Sequence, residues 1–198
     1  MFGLGRHDES ALLNAAQLDD IATVKRILAA KVKLLNVTAS RSICREHPDI
    51  KAGETALHLA CRRGHISVIK FLLSLKANVN FTNARGASPL HLAANAGKTQ
   101  VLEMLTAAGA DQDRQDSDGH TPLHGAVSNR KMACVQFLLR NGTDCNTKDT
   151  NGNTPLHEAM NIDSERILNA LLKAGAKVDE KNAHGQTPLH MVIINIDH

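Results

Sequence analysis

Residues 152–157 read Gly152-Asn153-Thr154-Pro155-Leu156-His157, and the last four of them recur along the chain. Thr55-Ala56-Leu57-His58, Ser88-Pro89-Leu90-His91, Thr121-Pro122-Leu123-His124 and Thr187-Pro188-Leu189-His190 are the other copies. Successive copies start 33 residues apart. A fixed period of this length marks a chain assembled from one small repeated unit. Residues 149–181, DTNGNTPLHEAMNIDSERILNALLKAGAKVDEK, show what the unit contains. Asp149 and Gly152 are turn residues. Thr154 suits a helix N-cap, and Pro155 suits the first helical position, where its missing N–H does no harm. Leu156, Ala159 and Met160 fall on one face at helical spacing, and Ile167, Leu168, Leu171 and Leu172 form a second stripe. Lys173-Ala174-Gly175 ends that second helix, with glycine free to take the left-handed conformation. The predicted unit is turn, helix, turn, helix, turn. Helices this short are marginal in water on their own. Stacking of neighbouring units must bury their stripes, so the array is the folding entity.

The period and the Thr-Pro-Leu-His signature resemble those of the ankyrin repeat, over roughly residues 8–198. The resemblance implies an all-α solenoid of about six units with β-hairpin-like finger turns. The units are expected near residues 8–37, 50–81, 82–114, 115–147, 148–180 and 181–198. In the first, Ser10-Ala11-Leu12-Leu13 replaces the signature, and Asp8, Glu9, Asp19 and Asp20 give the polar ends of a capping repeat. From Ser10 to Thr55 is 45 residues, so about 12 are inserted near 38–49, expected as a surface loop. The sixth unit stops at His198 with its second helix missing. That points to a longer repeat protein or to a covered face, and otherwise to a monomer. Three positions break the pattern. Lys76 stands where Gly109, Gly142 and Gly175 end the second helix, and Arg130 and Asp163 stand where Gly64 and Gly97 join the two helices.

The recurring histidines His58, His91, His124, His157 and His190 are not a metal cluster. Packed helices lie roughly 8–10 Å apart, whereas metal–ligand bonds are about 2 Å long. The resemblance gives them a structural role, bonding backbone between adjacent hairpins together with the threonine at the helix start. Phosphate-loop, zinc-protease and serine-hydrolase motifs are absent. No catalytic residue, metal or cofactor is expected, and the chain reads as non-enzymatic.

Composition narrows the partner. Aromatic residues make up 2% of the chain, which leaves no stacking platform for single-stranded nucleic acid. The net charge is +3 and no cationic run exceeds Arg62-Arg63, so nucleic acid is not expected. No run of 18 apolar residues and no secretory signal are visible, and the four cysteines lack a paired motif. Reduced thiols in the cytoplasm or nucleus follow, with Cys61 as core filler.

With the signature as scaffold, function falls to the positions that vary. The resemblance implies that finger tips and inner helix faces line a concave groove, and register then assigns to it Lys51, Arg62, Arg63, Arg85, Asn95, Asp118, His120, Asn129 and Asn151. The cations cluster in units two and three, beside Arg41 and Arg45 of the insertion, and Arg62 and Arg63 are expected to face solvent. The expected function is recognition of another protein, through an acidic or phosphorylated segment. One alternative is a regulatory or targeting module of a larger enzyme, channel or effector. Another is an inhibitor of a transcription factor, against which the basic groove argues. The resemblance also implies that Asn146, and less closely Asn80, match the target position of an asparaginyl hydroxylase.

Overall fold

The computed structural model describes residues 4–162 and 164–194. The expectation placed on the turn at Asp163, and those on residues 195–198, lie outside the described residues. Among the described residues there are 12 α-helices and no strand. After α1 (Leu4–Gln17), α2 (Ile21–Ala30) and α3 (Arg41–Glu46), helices come in pairs. These are α4 (Ala56–Arg63) with α5 (Ile66–Ser74), α6 (Pro89–Asn95) with α7 (Thr99–Ala107), α8 (Pro122–Ser128) with α9 (Met132–Arg140), and α10 (Pro155–Asn161) with α11 (Glu165–Lys173). The last is α12 (Pro188–Ile194).

Two layers result. The first helices α1, α4, α6, α8, α10 and α12 pack side by side, and the second helices α2, α5, α7, α9 and α11 form a row behind them. The predicted stripes fill the space between. Leu57, Leu90, Leu123 and Leu156 of the signature are buried, as are Leu72, Leu105, Leu138 and Leu171 of the second helices. Leu189, the equivalent residue of α12, is 66% exposed because no further helix covers it among the described residues.

The signature starts each first helix. Thr55, Ser88, Thr121 and Thr154 sit in extended backbone as N-caps, and each histidine three residues later closes a capping box. The fingers project from these starts and bond to one another through main chain. Ala84 N–H donates to Ala52 O at 3.0 Å, Ser117 to Arg85 at 2.9 Å, Thr150 to Asp118 at 3.0 Å and Ala183 to Asn151 at 2.9 Å. This ladder needs glycine in the turn. Gly119 has φ 76°, and a Cβ there would stand 2.7 Å from Thr150 N.

The insertion is more structured than a surface loop. Ser40 caps α3, and Ile43 and Ile50 are each 1% exposed. Ala39 N–H donates to Glu54 O at 2.8 Å and Gly53 N–H to Ala39 O at 3.0 Å, so the insertion is knitted onto the second finger. The apolar residues of TASRSICREHPDI fold inward because the lengthened finger lies against α1, where Ser10 Oγ meets His47 Nε2 at 3.1 Å. Lys76 and Arg130 both take left-handed backbone, with φ 63° and 55°, in the place of glycine.

Candidate functional site

Four of the five signature histidines are fully used by the scaffold. Thr55 N–H donates to His58 Nδ1 at 3.2 Å, which puts the ring proton on Nε2, and Nε2 donates to Ala87 O of the next unit at 3.1 Å. His91 reaches His120 O at 3.0 Å, His124 reaches Asn153 O at 3.3 Å and His157 reaches Gln186 O at 3.1 Å. Each ring therefore ties its own helix start to the following finger. His190 makes the Thr187 contact at 3.1 Å and is exposed. Burial depresses the His58 pKa to about 4 against the pull of its carbonyl partners, and it lowers His91 and His124 in the same direction.

Lys51, Arg63, Arg85, Asn95, Asp118, Asn129 and Asn151 are exposed, and His120 is half-buried. Several are tied down at the backbone: Arg85, Asp118 and Asn151 supply carbonyls to the finger ladder. Asn129 Nδ2 donates to Gly125 O at 2.9 Å. Asn95 lies over Gly125 so closely that a Cβ there would meet its Oδ1 at 1.7 Å.

The expectation that Arg62 faces solvent is wrong. Its Nη1 pairs with Glu54 Oε1 at 2.8 Å and its Nη2 donates to Asp49 O at 2.7 Å. Glu54 is 1% exposed and also accepts Lys51 N–H at 2.8 Å. Burial pushes the Glu54 carboxyl up, and the neighbouring amide and guanidinium counter that shift. Arg62 is thus a counter-ion for a buried acid. Arg63 remains exposed, 3.7 Å from the Asp49 carboxylate. Sequence reasoning missed this pairing because Asp49 belongs to the insertion, for which the repeat supplies no register. The visible signal was Glu54, an acid where other units have Ala87, His120, Asn153 and Gln186.

Of the six cations that the sequence groups in units two and three and the insertion, Arg62 and Arg63 pair with acids, whereas Arg41, Arg45, Lys51 and Arg85 make no ion pair. Arg41, Arg45 and Lys51 rim a pocket of about 450 Å³ whose other walls are Cys44, Pro48, Ile50 and Ala52. Cys61 is buried and its thiol is pushed up by desolvation, so it is inert core. All four cysteines are free.

Asn80 and Asn146 occupy equivalent turns and span unit boundaries. Asn80 Nδ2 donates to Gly109 O at 3.1 Å while its Oδ1 accepts Asp111 N–H at 2.9 Å. Asn146 does the same with Gly175 O at 3.2 Å and Lys177 N–H at 2.9 Å. Both side-chain amides are engaged as staples between consecutive units.

No helix among the described residues is long and apolar enough to cross a membrane. Comparison with curated proteins finds no match. Two family models do match. One, described as ankyrin repeat, covers residues 52–84. The other, described as ankyrin repeats (3 copies), covers residues 75–149, 107–182 and 123–198. With the capped helix pairs, the finger ladder and the bridging histidines in place over that same span, the chain belongs to the ankyrin repeat family.

Proposed function

We propose that this chain is a non-enzymatic recognition module that binds an acidic or phosphorylated segment of a partner protein. Ankyrin repeats are in general protein–protein interaction modules. The reading rests on one observation: Arg41, Arg45, Lys51 and Arg85 are exposed cations with no carboxylate partner, and three of them rim one pocket. The cationic rim attracts carboxylate or phosphate groups, and the arginines add bidentate contacts. Cys44, Pro48, Ile50 and Ala52 give the same segment an apolar surface to rest an aliphatic side chain on. The binding centre therefore lies on the insertion side of the groove, displaced from Arg62, whose charge Glu54 already uses.

Display selection from a random peptide library tests this. Wild-type protein should enrich acidic sequences, and binding should weaken with added salt as screening lengths shorten. The double variant Arg41→Glu, Arg45→Glu should lose that enrichment with its circular dichroism unchanged, because both residues are exposed. Enrichment of neutral sequences, or of the same sequences by the variant, would refute the proposal.

A further inference from the structure

We propose that the concave face between the fourth and fifth fingers is a binding site for a divalent transition-metal ion, zinc or a neighbour of similar preference, formed by His120, Asp149 and Glu158. The three come from different elements: the finger before α8, the next finger, and the first turn of α10. Each offers one ligand atom, and the three atoms lie within 4.8 Å of one another. His120 Nε2 stands 3.5 Å from Asp149 Oδ2. A tetrahedral ion with bonds near 2.1 Å spaces its ligands about 3.4 Å apart. The observed gap suits a shared ion better than a direct hydrogen bond, whose usual length is about 2.9 Å.

Each ligand is held in advance. Asp149 has a side chain only 1% exposed, and its Oδ1 is spent on Asn151 N–H at 2.8 Å and Asn153 N–H at 2.7 Å. That fixes Oδ2, which meets no donor closer than His120. The His120 backbone is pinned on both sides, its carbonyl by His91 and its N–H by Asp116 Oδ1 at 2.9 Å, while its ring makes no hydrogen bond. Glu158 Oε2 is held by Ser128 Oγ at 2.8 Å. Among the described residues no lysine or arginine pairs with Asp149 or Glu158. A buried carboxylate beside a second one, with no fixed cation, is a costly arrangement that a bound cation relieves. Asp116 and Asp118 also lie within 4.8 Å of His120 and deepen the negative potential. An imidazole among the ligands selects late first-row ions over calcium and magnesium, which prefer all-oxygen shells. The signature histidines take no part, since both nitrogens of each ring in this region are bonded.

The test is calorimetric titration of reduced, metal-stripped protein with zinc chloride, followed by ring-nitrogen NMR. One zinc per chain should bind, the His120 ring resonances should shift, and melting temperature should rise with free zinc. His120→Ala and Glu158→Gln should each weaken binding by at least about tenfold. Asp149 is left intact because it holds its finger turn. Absence of binding at millimolar zinc overturns the proposal. So does binding that both variants retain, which would place the metal elsewhere, and so does equal response to magnesium or calcium.

Discussion

His58 has both ring nitrogens committed, one accepting from Thr55 and one donating to Ala87, in a site closed to water. The structure therefore resists protonation of a group that an unfolded chain would protonate freely near pH 6.5. With its folded pKa near 4, the unfolded state binds the extra proton first as pH drops. Stability is complete above about pH 6.5 and declines from there toward pH 4, by on the order of 3 kcal/mol for this residue. His91 and His124 shift in the same direction and add to the loss. Urea unfolding at pH 7.5 and pH 5 should show a lower midpoint at the acid value. His58→Gln should shrink the difference, and an unchanged wild-type midpoint would contradict the argument. The role of these histidines was legible in the sequence because the repeat places all of them alike. The Arg62–Glu54 pair was not, since it is completed by Asp49 of the insertion, and the His120–Asp149–Glu158 group was not, since it depends on how one unit meets the next at positions the repeat leaves free.

At the scale of the element, the helices were readable from their punctuation. Cap residue, proline at the first position and glycine after the last turn bracket most pairs, and the apolar stripes set which face is buried. Where the punctuation fails, the backbone keeps its shape and bears the strain. Lys76 takes φ 63° after α5, whereas Gly109 and Gly142 hold that position after α7 and α9 with open space around them. Lys76→Gly should raise stability by about 1 kcal/mol. A higher urea midpoint for this variant at pH 7.5 supports that account, and a lower one sinks it. The helix α3 was read as part of a loop because six residues are too few to show a period, and its Ser40 cap and buried Ile43 hold it.

Over the whole molecule, stability is a sum of unit and interface contributions. Histidine bridges, asparagine staples and the finger ladder all cross the same boundaries. Gly119→Ala attacks one boundary, because the added methyl would collide with Thr150 N in left-handed backbone. It should lower stability by about 2 kcal/mol or more and split unfolding into two phases at the junction of the fourth and fifth units. Gly142→Ala meets no atom within 4 Å and serves as the control for backbone strain alone. Hydrogen exchange should show faster opening beyond residue 149 in the first variant, and uniform protection along the array would rule the coupling out. The order of units was legible from the 33-residue period, while the pocket rimmed by Arg41, Arg45 and Lys51 was not, because the insertion that shapes it occurs once.

The finger ladder has a mechanical meaning as well. One amide–carbonyl contact joins each tip to the next, and the contacts lie in series along a single row. Tension applied along that row would be the same at every link, so the weakest would rupture first while its neighbours held. The array then behaves as a leaf spring: a partner seated across several fingers bends it a little at each joint, and the elastic energy is shared among all of them.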